Sequence, residues 1–114
     1  MQRLNVEFVR EDSRGSLIQI NTDNWKQLNY LILNKGQEFG GHYHKHKKEL
    51  FYVVKGKVNI SAIDKQGGKN IIIERTDGCI LIEPYDIHTL FAVEDSEIVE
   101  LLSEPFDEKD IWIE

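Results

Sequence analysis

Three residues that can bind a metal or move a proton lie close together in one short segment of the chain. The segment HYHKHKKE places His42 and His44 two residues apart, and Glu49 follows after a short basic stretch. Alternate side chains of a β-strand share a face, so we expect both imidazoles to point into one cavity. A turn over residues 45–48 can return the chain and aim the Glu49 carboxylate at the pair. The segment therefore predicts one half of a site.

The other half is predicted to come from residues 78–88, where Gly78 begins a strand, Pro84 ends it and His88 opens the next. Imidazole and carboxylate together suit zinc, iron, manganese, nickel or cobalt, and ligand type alone does not choose among these divalent metals. With three or four protein ligands, such an ion keeps positions for water or substrate. Histidine also titrates near neutral pH, so the same cluster can work as general acid and base without metal.

The elements that carry these residues are predicted to be β-strands in one all-β domain over residues 1–114. Short alternating or β-branched runs recur between Gly- or Asn-containing turns, whereas long amphipathic helix periodicity is hard to find. The C-terminal piece is expected to form a short helix or an extended tail, with Trp112 covering the end of the core. The strands are predicted at residues 4–9, 16–20, 28–33, 50–54, 57–63, 70–74, 79–83, 89–93 and 97–102.

Composition disfavours several classes of function. The net charge of −6 opposes nonspecific attraction to nucleic acid or anionic lipid. No apolar run approaches the ~18 residues of a membrane span, and no secretory signal follows Met1. We therefore expect a cytoplasmic protein whose partner is a small molecule. Cys79 is the one cysteine, and its apolar surroundings in sequence predict a buried, inert side chain.

The spacing of the candidate residues resembles the cupins. Their first motif is matched by Gly36-x5-His42-x-His44-x4-Glu49-x6-Gly56, and a shortened second motif by Gly78-x5-Pro84-x3-His88. The resemblance implies a single cupin barrel, a double-stranded β-helix or jelly roll. It also implies a homodimer, to which the strand at 4–9 could contribute by pairing with a neighbouring subunit. The metal ligands that it implies are His42, His44, Glu49 and His88.

A narrower resemblance involves the N-terminal hairpin. Asp12-x-Arg14-Gly15-x-Leu17 is similar to an entry sequence of the nucleotide-sugar cupins, the dTDP-sugar 3,4-ketoisomerases and keto-deoxysugar epimerases. This resemblance implies that barrel histidines move protons next to a ketone, typically without metal. Those enzymes place an arginine just before their His-x-His, where this chain has Gly40 and Gly41, and that difference favours the metal hypothesis. Taken by themselves, Asp12 and Arg14 are expected to form a local ion pair.

The first hypothesis is therefore a metal-dependent cupin enzyme that acts on a small polar substrate, a class that includes carbohydrate-like and anionic molecules. The alternatives are a metal-free nucleotide-sugar isomerase or epimerase and a sugar-binding cupin without chemistry. The candidate catalytic residues are His44 and Tyr30, since a phenol that lines a site can serve as general acid. Tyr30 is predicted to lie on the same face of its strand as Leu28 and Ile32, which also fits a packing role.

Three lysines surround His46 in the turn between His44 and Glu49. Lys45, Lys47 and Lys48 give a local positive patch on an acidic protein, which could hold a phosphate or carboxylate of a substrate. Charge runs of this kind are more often solvated surface, and the same holds for His46. The expectation is a solvated basic turn.

Overall fold

Nearly all of the regular structure is β-strand. The computed structural model describes residues 1–74 and 78–113, and the side chains of all of these except 70–74. Within these ranges no helix is long and apolar enough to cross a membrane. The strands are β1 (Gln2–Leu4), β2 (Phe8–Asp12), β3 (Gly15–Gln19), β4 (Gln27–Leu33), β5 (Glu38–Tyr43), β6 (Glu49–Lys55), β7 (Val58–Ile63), β8 (Lys69–Glu74), β9 (Cys79–Ile82), β10 (Ile87–Ala92), β11 (Ser96–Leu102) and β12 (Trp112–Ile113), and a 3-10 turn covers Glu108–Asp110.

The strands form two five-stranded antiparallel sheets and one hairpin. The first sheet has the order β1-β9-β6-β11-β4, and the second has the order β12-β5-β10-β7-β8. The hairpin consists of β2 and β3. Since few strands that follow one another in the chain are neighbours within the two sheets, the chain crosses repeatedly between them, which confirms the predicted all-β class.

The core lies between the two sheets. In β7 and β11 every second side chain is buried, as expected for strands with one face against a core. Strand β6 is buried on both faces for most of its length, because residues of the N-terminal segment and Trp25 pack against its outer side. The fully buried core residues include Phe51, Val53, Val58, Ile60, Ile80, Leu90, Ala92 and Ile98.

The predicted strand at 4–9 is wrong as a continuous element. Strand β1 ends at Leu4, where it pairs with β9, and β2 begins at Phe8, where it pairs with β3. The alternation of Leu4, Val6 and Phe8 continues across this break, because periodicity reports which side is apolar and not which strand is the neighbour. The chain changes partner between the two strands.

Two strands were absent from the predicted ranges, although a strand was expected at His42 and His44. Strand β5 carries Gly40 and Gly41, and glycine is depleted in strands, so its residues do not form a typical strand signal. Strand β12 has two residues and pairs with β5, with Trp112 opposite Tyr43. The predicted C-terminal helix or tail is thus a 3-10 turn followed by this strand, and Trp112 lies over Lys45 with 39% of its surface exposed.

Candidate active site

Two neighbouring strands of the second sheet bring His42 and His88 together. These residues are direct cross-strand partners of β5 and β10, and their ring centroids are 4.7 Å apart. The register shifts between His88 and Thr89, which marks a bulge at the site. Gly40 has a φ of 114°, and a Cβ there would lie 2.5 Å from the His88 carbonyl oxygen. A glycine is therefore required at the position next to the bulge.

The C-terminal 3-10 turn holds the segment that carries His44. Asp110 is buried, and its carboxylate accepts hydrogen bonds from the backbone N–H groups of Lys45 at 2.9 Å and His46 at 3.2 Å. The Asp110 carbonyl oxygen lies 2.6 Å from His44 Nδ1. Because a carbonyl can only accept, Nδ1 carries the proton and Nε2 faces the site. Sequence reasoning did not identify Asp110, which lies more than sixty residues from this turn.

His44 and Glu49 form a buried ion pair. His44 Nε2 lies 2.5 Å from Glu49 Oε1, and both side chains are almost fully buried. Burial by itself lowers the pKa of His44, but the hydrogen bonds with Glu49 and with the Asp110 carbonyl outweigh burial and leave that pKa raised. The pair is thus an imidazolium and a carboxylate, in which both ring nitrogens of His44 donate.

His42 and His88 are in the opposite state. Burial is the main cause that lowers the pKa of His42 to about 4. Burial also lowers the pKa of His88, which is fully buried and whose Nδ1 lies 3.1 Å from the Asp86 carbonyl oxygen. Both imidazoles are therefore neutral at pH 7 and can accept a proton.

A second carboxyl group lies beside Glu49 and was missed at the level of sequence. Burial and a hydrogen bond with Glu49 raise the pKa of Glu100 to about 7, and Asn29 Nδ2 donates to Glu100 Oε1 at 2.8 Å. Burial opposes ionisation of Glu49, but the hydrogen bond from His44 outweighs it and lowers the pKa of Glu49 to about 2. Only the strand alternation of β11, which points Glu100 inward with Ile98 and Leu102, could have indicated this residue.

The cluster opens into a small cavity of about 230 Å³. Six polar or charged residues and four apolar residues line it, a mixture that can orient a small molecule. His88 is fully buried and is not one of the residues that line the cavity. The lining residues are Asn29, Phe39, His42, His44, Lys47, Glu49, Glu100, Leu102, Phe106 and Ile111.

The same residues meet the requirements of a divalent transition metal. One ligand atom from each of the four predicted metal ligands lies within 4.8 Å of every other. Metal–nitrogen and metal–oxygen distances of about 2.0–2.2 Å place ligand atoms roughly 3–4 Å apart, so a small inward movement would complete a shell. His88 Nε2 and Glu49 Oε2 are buried without a hydrogen-bond partner among the described residues, and they lie 3.7 Å apart. The donor set therefore fits such an ion, which would replace the proton between His44 and Glu49.

The structure does not bring Tyr30 to the cluster. Its side chain lies on the outer face of β4 with Leu28 and Ile32, is 53% exposed, and donates a hydrogen bond to Glu97 Oε1 at 2.8 Å. The inward face of β4 carries Asn29 instead. The alternation that places Tyr30 on the same strand face as Leu28 and Ile32 had indicated that its side chain points outward.

Comparison with known proteins identifies a family and a fold. The profile of the family described as "Polysaccharide biosynthesis C-terminal domain" matches residues 10–110. No curated protein matches the sequence. Many solved structures do match, and those that we compared are less than 25% identical, so they establish the fold.

Three solved structures illustrate the likeness. A 3,4-ketoisomerase from Helicobacter canadensis is 20% identical, with a TM-score of 0.85 over 99% of this chain and 90% of that one. The sugar 3,4-ketoisomerase QdtA from Thermoanaerobacterium thermosaccharolyticum, solved in complex with TDP, is 22% identical, with a TM-score of 0.82 over 96% and 85%. The dTDP-4-dehydrorhamnose 3,5-epimerase from Sulfolobus tokodaii is 22% identical, with a TM-score of 0.78 over 90% and 70%. The predicted cupin jelly roll is confirmed. The solved structures that this chain resembles are nucleotide-sugar cupins.

Proposed function

The chain belongs to the polysaccharide biosynthesis C-terminal domain family, and on this premise we propose that it is a carbohydrate-modifying enzyme, an isomerase or epimerase of a nucleotide-linked keto sugar. Proton transfer by histidines would carry the reaction, with no requirement for a metal. This proposal reverses the order of the two enzyme hypotheses, because the similar folds are those of a 3,4-ketoisomerase solved with TDP and of a 3,5-epimerase.

One observation carries the proposal: His42 and His44 stand side by side with opposite hydrogen bonding. Their ring centroids are 4.9 Å apart. Both nitrogens of His44 face acceptors, Asp110 O and Glu49 Oε1, so this ring holds two protons. His42 has no hydrogen-bond partner among the described residues and lines the cavity. Neighbouring groups whose surroundings fix opposite protonation states are suited to be the base and the acid of one reaction.

The two imidazoles account for both proton transfers at carbon. His42 takes the proton from the carbon next to the ketone, the C–H electron pair becomes the C=C bond of an enolate, and the carbonyl π pair moves to oxygen. His44 gives a proton to carbon, the ketone reforms, and exchange between the two rings or with water restores the starting state. Return of the proton to the same carbon on its opposite face would be epimerisation. Return of the proton at the former carbonyl carbon, with the proton of the neighbouring hydroxyl moving to the former ketone oxygen, would be ketoisomerisation.

Solvent deuterium exchange tests this function. In D₂O, the wild-type protein should introduce deuterium next to the ketone of at least one member of a panel of dTDP-4-keto sugars, detected by NMR. His42→Gln should reduce that exchange by about 10²-fold or more, because it removes the base. His46→Gln is the matched control, since His46 is an exposed histidine of the adjacent turn. Absence of exchange by the wild type across the panel would contradict the proposal.

A metal-dependent enzyme is the second candidate, favoured by the geometry of the four ligands and by the two buried atoms without partners. In that case His42, His44, Glu49 and His88 would hold the ion, which supplies Lewis-acid chemistry when bound. Elemental analysis of protein purified without added metal, compared with His44→Ala, distinguishes the candidates. About one equivalent in the wild type that is lost in the variant would support a metal centre, whereas equal and negligible contents would exclude it.

The predicted homodimer also belongs to this proposal. Within the described residues, β2 and β3 pair only with each other, and Phe8, Val9, Leu17 and Ile18 are each between 42% and 49% exposed. A two-stranded hairpin is marginal by itself in water. A second copy of the chain that covers this hairpin would bury its apolar side chains, and it is the partner that a cupin fold favours.

A further inference from the structure

Among the described residues, the buried ammonium group of Lys47 has no counter-ion within 4.0 Å. Its side chain is 3% exposed, and its Nζ has no hydrogen-bond partner among the described residues. The centroid of the Phe106 ring lies 5.5 Å from Nζ. An ammonium group taken out of water costs several kcal/mol unless it is paired. Such a group is retained most readily where a ligand supplies the missing anion.

The neighbouring lysines show that this burial is specific to position 47. Lys45 Nζ lies 3.6 Å from the centroid of the exposed Trp112 ring, and Lys48 Nζ pairs with Asp23 at the surface. The basic turn predicted from the sequence is therefore not one patch. Two of its lysines remain outside, and the third points inward.

The turn is fixed on both sides of Lys47. Asp110 accepts the backbone N–H groups of Lys45 and His46, and Ser103 Oγ accepts that of Lys48 at 2.9 Å. The backbone N–H of Ser103 returns a bond to the Lys48 carbonyl at 3.1 Å. These contacts hold the backbone on both sides of Lys47, whose side chain lines the cavity.

The two carboxyl groups of the cavity are already engaged. Glu49 pairs with His44, and Glu100 accepts a hydrogen bond from Asn29. Among the described residues, neither carboxyl group lies within 4.0 Å of Lys47 Nζ. The ammonium and the His42 ring line the same cavity, so a molecule that reaches the base also lies beside a positive charge.

We propose that Lys47 binds the oxygen of the substrate on which negative charge develops, and that the cavity is an anion site of this chain. The role rests on the proposed function: when the C–H bond breaks and its electron pair forms the C=C bond, the carbonyl π pair moves to the ketone oxygen. Lys47 holds that enolate oxygen by a charge-assisted hydrogen bond until a proton returns to carbon and the ketone reforms. The lysine is neither consumed nor required to change protonation state.

The test separates the anion site from the reaction. Acetate, a small carboxylate that fits about 230 Å³, is titrated into the wild type, Lys47→Met and Lys55→Met, with binding followed by calorimetry. Lys55 is an exposed lysine at the end of β6 and serves as the control. Lys47→Met should weaken acetate binding by at least about 10-fold, whereas Lys55→Met should bind as the wild type does. Equal binding by all three proteins, or none by the wild type, overturns the anion site.

Turnover supplies the second measurement. With a keto sugar that the wild type processes, Lys47→Met should lower kcat by about 10²–10³-fold and change KM little, because the contact forms as charge develops. If acetate binding depends on Lys47 but no sugar exchanges deuterium, the anion site stands and the proposed function falls. If turnover by Lys47→Met is unchanged, the enolate role falls and the function stands.

Folding of the variant supplies an internal check. Because Lys47→Met replaces a buried charge that has no counter-ion by an apolar side chain of similar length, its Tm should be equal to or above that of the wild type. A fall in Tm of several degrees would show that the lysine is structural and would overturn the proposal.

Discussion

At the scale of single residues, hydrogen-bond partners decide which side chain of the cluster carries charge. His42 and His44 have the same chemistry and are two positions apart, yet one ring is neutral and the other holds two protons. The difference comes from Asp110 and Glu49, which accept from His44 but not from His42. A ligand set that looks uniform in sequence is therefore differentiated by its surroundings.

The first prediction concerns Glu100, whose pKa is raised to about 7 from 4.5. Below pH 4.5 the carboxyl is protonated in the folded and unfolded states alike. Between 4.5 and 7 the unfolded chain loses this proton and the folded chain keeps it, so the contribution of Glu100 to stability falls as pH rises. At pH above 7 this loss amounts to about 3 kcal/mol at most.

Glu100→Gln should remove that loss, since the amide keeps the shape, can still donate toward Glu49 and accept from Asn29, and does not ionise. The stability of the wild type minus that of the variant, measured by urea unfolding, should decrease steadily from pH 4.5 to 7.5. Parallel profiles for the two proteins would contradict the raised pKa.

The sequence identified the cluster but not the residues that control it. His42, His44, Glu49 and His88 were predictable because a fixed spacing marks them, and the structure brings all four together. Asp110 and Glu100 were not, because their roles depend on contacts between segments that are distant in sequence, and Lys47 was noticed only as one of three lysines in a turn that was expected to be solvated. Their residue types are common on surfaces and carry no local signal.

At the scale of elements, the close contact of β5 with β10 positions the histidines. Strand β5 was hard to recognise because it contains Gly40 and Gly41, and these glycines stand where the ketoisomerases that the sequence resembles place an arginine. The bulge at His88 gives a physical reason for one of them, since a side chain at position 40 would meet the β10 backbone. Sequence patterns located most strands, and they failed where a strand is defined by its partner.

The second prediction compares these two glycines. Both have positive φ, 114° at Gly40 and 77° at Gly41, but an added Cβ would meet the His88 backbone at position 40 and nothing within 4 Å at position 41. Gly40→Ala should therefore destabilise the protein by about 1–3 kcal/mol more than Gly41→Ala. Denaturant unfolding measures both values. Equal losses would mean that the backbone conformation, and not the contact with β10, requires glycine.

At the scale of the whole molecule, one part of the protein has an unusual surface. Two five-stranded sheets enclose a common core, whereas every residue of β2 and β3 is exposed. Val9 and Ile18 are cross-strand partners on one face of the hairpin, and Phe8 and Leu17 lie on the other. Apolar side chains on both faces require cover on both sides, which a strand-paired second subunit can supply.

The third prediction replaces Phe8, Val9, Leu17 and Ile18 together by threonine. Threonine keeps a high strand propensity, so the hairpin is disturbed little while its apolar surface is removed. The wild type should sediment as a dimer and this variant as a monomer at micromolar concentration. Phe91→Thr combined with Ile113→Thr is the control, since these exposed apolar residues lie on the second sheet and should leave the dimer intact. A wild type that sediments as a monomer, or a hairpin variant that stays dimeric, would show that a second copy does not cover this surface.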